Sequence, residues 1–220
     1  MKPGKTELII ILDRSGSMSG IRSDMEGGLK SFIEKQKTLP GECLVSVYKF
    51  DDIYETVFET RPIKDVGDIP LVPRGSTALH DAMGKTINRV GVRLAKTPEE
   101  DRPTLVMVMT ITDGQENASR QFTADQVKEL VKHQTDTYKW DFTFLGANQD
   151  AVLTAQNLGI VGAKAMTYNA TAGGSQALFR SASNYAVTVR TDINEFGNLA
   201  RVEDIGFTEE DRKEAVEAKT

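Results

Sequence analysis

The chain is poor in the residues that staple small proteins or bind soft metals: it has one cysteine, two histidines and one tryptophan in 220 residues. A lone cysteine, Cys43, excludes an internal disulfide framework. The two histidines, His80 and His133, stand too far apart for a zinc-ligand spacing. No apolar run approaches the roughly 20 residues of a membrane span. The first apolar run stops at Asp13 with no cleavage site after it, so it reads as a strand rather than a signal peptide.

The composition is that of an ordinary globular domain with a moderate negative charge. Hydrophobic residues make up 39% and charged residues 27%, which is enough apolar material for a core. With a net charge of −5, non-specific attraction to nucleic acid or to an anionic membrane is not expected. We therefore predict a cytoplasmic protein, or one of the host cytoplasm if the gene is viral, with neither nucleic acid nor membrane as partner.

Apolar runs alternate with amphipathic helical stretches along most of the chain. This alternation predicts an α/β fold with a doubly wound, mostly parallel six-stranded sheet and helices on both faces. The Asp51-Asp52 turn is too short for a parallel crossover, so the third strand should run antiparallel at an edge. The common order for such a sheet is 3-2-1-4-5-6. The predicted strands are 7–12, 43–50, 54–60, 104–112, 140–145 and 162–167, and the predicted core helices are 21–39, 77–96, 123–137, 150–158 and 174–187.

The simplest division is one domain over residues 1–190 and a polar tail over 191–220. The tail carries one short helix, because Thr208 and Asp211 resemble a capping pair and Phe207 a hydrophobic staple. We expect this helix to dock on the domain.

Two acids follow the two strands that should flank the switch point of the sheet. Asp13 ends the first strand and Asp113 ends the fourth. In the 3-2-1-4-5-6 order these strands are neighbours, and ligands bind in the crevice beyond their carboxyl ends. The sequence therefore predicts that the two carboxylates lie side by side.

Hydroxyl groups accompany both acids. Ser15 and Ser17 follow Asp13 at alternate positions, so in an extended segment the three side chains point the same way, and Arg14 points away. Thr77 heads a predicted helix. Taken singly, the serines could serve turns and caps, and Thr77 could be a plain N-cap. Taken together, two carboxylates and three hydroxyls are hard oxygen donors that suit Mg²⁺ or Mn²⁺. The predicted metal ligands are Asp13, Ser15, Ser17, Thr77 and Asp113.

These motifs resemble the von Willebrand factor type A (vWA) family and its metal-ion-dependent adhesion site (MIDAS). The DRSGSM, STALHDAM and ITDG segments are similar to bacterial and phage-type intracellular members, and the resemblance covers roughly residues 6–190. It implies that Ser15, Ser17 and Thr77 ligate the ion directly. It also implies that Asp13 and Asp113 ligate directly or through water, and that a partner protein supplies an Asp or Glu carboxylate. For Asp81, one helical turn after Thr77, a helix-start acid is preferred over a residue facing the site.

The predicted activity is metal-dependent protein binding without catalysis. One alternative is a Mg²⁺-dependent phosphohydrolase of the haloacid-dehalogenase type with Asp13 as nucleophile. That chemistry requires an acid two residues later, where this chain has Ser15. The other alternative is a degenerate structural domain that uses no metal, against which the complete five-residue set argues.

Overall fold

Six strands form one mixed sheet whose order confirms the prediction. The computed structural model describes residues 2–147, 150–197 and 199–218. The sheet order is β3-β2-β1-β4-β5-β6, with β3 antiparallel at the edge and the other pairs parallel. The strands are β1 (Lys2–Asp13), β2 (Glu42–Phe50), β3 (Tyr54–Pro62), β4 (Pro103–Thr112), β5 (Asp141–Ala147) and β6 (Ala165–Tyr168).

Helices cover both faces of this sheet, as predicted. Alternate residues of the central strand β1 point to opposite faces: Leu8, Ile10 and Leu12 pack in one core, Ile9 and Ile11 in the other. The helices are α1 (Arg22–Lys37), α2 (Leu79–Lys96), α3 (Ala124–Tyr138), α4 (Ala151–Asn157), α5 (Ala172–Phe196) and α6 (Glu209–Glu217). The first core includes α1, α5 and α6, and the second includes α2, α3 and α4.

Two helix starts are set by local chemistry that the sequence reveals. Thr123 and Gln126 form a complete capping box at the start of α3, and Thr208 and Asp211 form one at the start of α6. In each pair the threonine side chain accepts the N3 backbone N–H, and the N3 side chain accepts the N-cap N–H. Both predicted helix starts are confirmed.

The last core helix is longer than predicted. The pattern indicates a helix over 174–187, whereas α5 runs over Ala172–Phe196 and so passes the predicted domain boundary at 190. The buried guanidinium of Arg190 donates to the backbone carbonyl and the side chain of Gln36 in α1, at 2.9 and 3.0 Å. Gly197, with φ of +62°, then ends the helix in the left-handed conformation that favours glycine.

The C-terminal segment covers the outer edge of β6. The backbone N–H of Asn169 donates to the carbonyl of Ala215 at 3.0 Å. The guanidinium of Arg212 donates to the carbonyls of Gly162 and Ala163, both at 2.9 Å. Arg212 also donates to the carbonyl of Ala165 in β6, so α6 satisfies one backbone group of this edge strand.

A buried ionic cluster ties the start of β5 to α5. The carboxylate of Asp141 accepts hydrogen bonds from the Lys164 ammonium at 2.7 Å and from the Tyr185 hydroxyl at 2.8 Å. All three residues are buried. Burial raises the pKa of Tyr185, and the charge of Asp141 adds to this, so the phenol remains a neutral donor.

Across the described residues, no helix combines the length and apolar character that crossing a membrane requires.

Candidate metal centre

The register of β1 and β4 brings the two predicted acids together at the carboxyl ends of these central strands. Leu12 pairs with Ile111, so Asp13 and Asp113 follow neighbouring parallel strands. The carboxylate of Asp13 is fully buried and accepts the Thr112 hydroxyl and the Ser15 backbone N–H, both at 2.6 Å. These two bonds fix the orientation of the carboxylate. Thr112 is part of the site's framework, and the sequence prediction missed it because it reads as one more strand residue.

The two serines connect the acids, Ser15 through its backbone N–H to Asp13 and Ser17 through its hydroxyl to Asp113. The Oγ atoms of Ser15 and Ser17 lie 3.0 Å apart, and the Ser17 hydroxyl donates to Oδ1 of Asp113 at 2.6 Å. Ser15 is almost fully buried, whereas Ser17 is exposed. Four of the five predicted ligands are therefore connected in one chain of polar contacts, which reaches the surface at Ser17.

Thr77 belongs to the same cluster. A Cβ atom placed on Gly114 would lie 2.8 Å from the Thr77 hydroxyl oxygen and 3.5 Å from that of Ser17. Because Gly114 has no side chain, the space next to the Thr77 and Ser17 hydroxyls stays unfilled. Helix α2 begins at Leu79 with Ala78 as its N-cap, so the plain N-cap alternative for Thr77 is wrong.

The loop after Asp113 holds the backbone of Thr77. The Asn117 side-chain oxygen accepts the Thr77 N–H at 2.9 Å. In return, the Thr77 carbonyl accepts the N–H groups of Asn117 and Ala118 at 3.0 and 3.2 Å. The sequence prediction gave Asn117 no role, since this pairing joins positions 40 residues apart.

Asp81 anchors that same loop rather than facing the site. Its carboxylate accepts the backbone N–H groups of Arg120, Gln121 and Phe122 at 3.2, 2.8 and 2.9 Å. Burial alone would raise the pKa of Asp81, but these three bonds outweigh it and lower the pKa. Asp81 therefore stays ionised and does more than stabilise the start of its own helix.

Glu116 also connects the start of α2 to this loop. Its carboxylate accepts the N–H groups of His80, Ala118 and Ser119 at 2.9, 2.9 and 2.7 Å, and the Ser119 hydroxyl at 2.6 Å. Burial acts to raise the pKa of Glu116, yet these bonds lower it on balance. Because its lone pairs are occupied by the loop, Glu116 serves as a structural acid.

Arg14 points away from the acids, as predicted, and supports the loop before Thr77. Its Nε lies 3.1 Å from Oδ2 of the buried Asp51, and Arg74 donates to the same oxygen at 2.7 Å. The Arg74 backbone N–H also donates to the Arg14 carbonyl at 2.8 Å. Gly75, with φ of +65°, then lets the chain turn towards Thr77.

The electrostatics of the cluster suit a divalent cation. Burial raises the pKa of Asp13 from 3.8 to about 6, against the hydrogen bonds from Thr112 and Ser15, and the charge of Asp113 adds a smaller increase. Burial likewise raises the pKa of Asp113, against the Ser17 hydrogen bond. The hydrogen bonds of the protein only partly offset the cost of burying these two negative charges. Such a pair, with hydroxyl oxygens beside it, fits Mg²⁺ or Mn²⁺. The described residues hold no group of three or more His, Cys, Asp or Glu that could bind a metal, so an ion at this cluster would need the hydroxyl oxygens as ligands.

This electrostatic cost predicts a pH dependence of stability. A folded-state pKa of about 6, against 3.8 for the unfolded chain, means that the metal-free native state binds the Asp13 proton more tightly. The resulting stabilisation is present below pH 3.8 and is lost as the pH rises through about 6. At pH 7 the cost of the charged form is up to about 3 kcal/mol. We expect Asp13→Asn to recover part of that energy.

The measurement is the free energy of unfolding in urea between pH 4 and pH 8, in the presence of EDTA. The Asp13→Asn variant should gain stability relative to the natural protein as the pH rises through 6. The control variant is Asp136→Asn, because Asp136 is exposed and lies near the C-terminal end of α3. Parallel curves for Asp13→Asn and the natural protein would contradict the assignment.

The comparisons with known proteins identify the fold class. No protein-family model and no curated protein matches this sequence. Among solved structures, the chain is similar to a proximal thread matrix protein 1 from the mussel byssus with a zinc-occupied MIDAS motif (TM-score 0.53, 16% identity over 89% of this chain and 46% of that one). It is also similar to von Willebrand factor type A from Catenulispora acidiphila (0.55, 15%, 83% and 42%) and to the ArnB paralog VWA2 from Sulfolobus acidocaldarius (0.53, 17%, 81% and 45%).

The chain thus has the fold of vWA-domain proteins. It spans less than half the length of each of these three solved chains. At 15–17% identity the likeness establishes the architecture and leaves partner, metal and biological role to be argued from the site itself.

Proposed function

We propose that the protein is a metal-dependent protein-interaction module in which a bound Mg²⁺ or Mn²⁺ recruits a carboxylate of a partner protein. Ser15, Ser17 and Thr77 would hold the ion directly, and Asp13 and Asp113 directly or through water. The observation that carries this proposal is the continuous polar chain Asp13–Ser15–Ser17–Asp113 at the carboxyl ends of two adjacent strands. A solved structure with the same fold, the mussel protein, carries a zinc-occupied MIDAS motif, which supports a metal-binding role for this fold.

The charge balance of the site explains why a carboxylate is the expected ligand. Two acids neutralise a divalent ion without over-neutralising it, so the bound ion remains attractive to a further anionic oxygen. Ser17, the exposed member of the set, marks the side from which the partner would approach. When bound, the ion would supply an electrophilic anchor for that oxygen.

The loops around the site would select among partners. We expect this selection from segments 18–22, 61–76 and 114–122, of which the second begins beside Leu44 at the start of β2 and reaches the cluster only near Arg74 and Gly75. Asp51 holds the second segment and Asp81 the third. Such anchoring keeps the binding surface preorganised, which lowers the entropic cost of association. In this proposal metal dependence resides in the five ligands and specificity in the loops.

We propose no catalysis by this site. A phosphohydrolase would need a second acid two residues after Asp13, and that position holds Ser15, whose hydroxyl contacts Ser17. A neutral hydroxyl at that position is a poor general acid or base at neutral pH. We therefore propose binding rather than turnover, and keep the cytoplasm, or the host cytoplasm for a viral gene, as the proposed compartment.

The test is a pull-down from the native cytoplasm with the natural protein, Asp13→Ala and Asp113→Ala, each with Mg²⁺ and with a chelator. We expect a protein that is captured only by the natural chain and only with metal. Asp136→Ala, which removes an exposed acid far from the site, should capture it normally. An identical catch in all lanes would contradict the adhesion function, provided that thermal unfolding shows the variants to be folded.

A further inference from the structure

A cavity lies at the opposite end of the sheet from the candidate metal centre. Its volume is about 490 Å³, which falls in the range typical of small-molecule sites. It is bounded by the C-terminal turns of α2 and α3, by the first residues of β4, and by Lys139 and Trp140, which precede β5. Because β4 starts at the cavity and ends beside Asp113, its ten residues separate the two sites by roughly 30 Å.

The floor and one wall of this cavity are apolar and aromatic. Val106 and Trp140 are 5% exposed and Leu94 is 9% exposed, so they form a largely dry floor. Trp140 stacks on Phe142 behind it, with ring centroids 6.1 Å apart. At the mouth, Tyr138 remains 57% exposed, which is a large apolar surface to leave in water. A flat aromatic group could contact these rings and release that water.

Arg102 is held in place at the edge of the cavity, whose lining also includes Lys139 and His133. The Arg102 guanidinium donates through Nε to the Thr97 carbonyl at 2.8 Å and through Nη2 to the Ala95 carbonyl at 3.2 Å. These bonds use two of its five N–H donors, and Arg102 forms no ion pair within the described part of the chain. By contrast, Lys139 in the same lining lies 3.0 Å from a carboxylate oxygen of Glu203, and the lining acid, Glu99, is exposed.

We propose that this cavity binds a planar aromatic organic anion. Its ring system would lie against Trp140 and Tyr138, and its carboxylate, sulfonate or phosphate would meet Arg102. A guanidinium that is fixed by backbone carbonyls and lacks an acidic partner offers directed donors to such a group. The proposal concerns residues separate from the five metal ligands, so it stands whether or not the site binds metal.

Trp140 is the only tryptophan in the chain and so reports directly on this cavity. The probe is 8-anilinonaphthalene-1-sulfonate, an aromatic anion, titrated into the full chain in EDTA while tryptophan emission is followed. N-phenyl-1-naphthylamine, which carries the same rings without the sulfonate, tests the role of charge. We expect saturable one-to-one quenching by the sulfonate and weaker binding of the uncharged probe.

Gly91 is the position at which we expect a larger side chain to occupy the cavity. It lines the cavity from within α2, and a Cβ placed there would meet only the Gln134 side chain, at an ordinary 3.5 Å. Gly91→Leu should therefore fold normally, because leucine favours a helix more than glycine does. Gly27→Leu is the matched control, since a Cβ on this exposed glycine of α1 meets nothing within 4 Å.

The expected result is a loss of at least tenfold in affinity for the sulfonate in Gly91→Leu and no change in Gly27→Leu. Arg102→Gln should lower the affinity for the sulfonate probe and leave the affinity for the uncharged probe unchanged. Equal affinity of Gly91→Leu and the natural protein, or absence of Trp140 quenching, would overturn the proposed site. If Arg102→Gln bound the sulfonate as tightly as the natural protein does, the anionic class would be wrong.

Discussion

Mg²⁺ added to the metal-free protein should raise its midpoint of thermal unfolding by roughly 5–10 °C. A ligand that binds only the native state at a hundred times its dissociation constant contributes about 2.7 kcal/mol, and each kcal/mol corresponds to about 2–4 °C for a chain of this size. The effect should be absent in Asp113→Ala. The reason is that this carboxylate, bonded to Ser17, is one of only two acids in the cluster.

The stability of Asp113→Ala without metal is the control for its folding. Burial raises the pKa of Asp113, so the native state without metal disfavours its charge. We expect Asp113→Ala in EDTA to be at least as stable as the natural protein. Differential scanning calorimetry with EDTA, Mg²⁺ and Mn²⁺ separates the outcomes. A magnesium shift that persists in Asp113→Ala would place the ion elsewhere, whereas no shift in the natural protein would favour a structural domain without metal.

Asp141→Ala should produce the largest loss of stability, about 3–5 kcal/mol. The change leaves the Lys164 ammonium buried without its carboxylate and deprives the Tyr185 hydroxyl of its acceptor. Urea unfolding at constant m-value measures this loss. Replacing the pair together, as Asp141→Leu with Lys164→Met, should restore most of the stability, because hydrophobic residues of similar volume often substitute for a buried ion pair.

The exposed pair of Lys132 and Asp136, 3.6 Å apart on α3, provides the comparison. Asp136→Ala removes the same kind of charge from a solvated pair and should cost less than about 1 kcal/mol. A loss for Asp141→Ala as small as that for Asp136→Ala would show that water reaches the Lys164 ammonium.

Much of this architecture could be predicted because it depends on local patterns. The apolar run of 104–112 gives a central strand, and the Thr123 capping box gives a helix start. The short turn at Asp51-Asp52 implies an antiparallel edge strand. Each of these signals acts within a few residues, where the sequence directly shows the groups that interact.

The features that were missed depend on contacts between distant parts of the chain. The extension of α5 beyond 187 is supported by Arg190 and Gln36, which are 154 positions apart. Glu7 lies fully buried in β1, within reach of the Ser46 hydroxyl at 3.0 Å and of Arg93. Periodicity cannot reveal such partners. The same limit applies to Asn117, whose role is defined only once its loop meets Thr77.

The two edges of the sheet differ in a way that limits how molecules could join. The guanidinium of Arg212, in the C-terminal segment, donates to the carbonyl of Ala165 in β6, whereas β3 forms the other edge. A strand from another molecule that paired with β6 would have to compete with this segment for that carbonyl, so the tail makes strand addition at this edge less favourable.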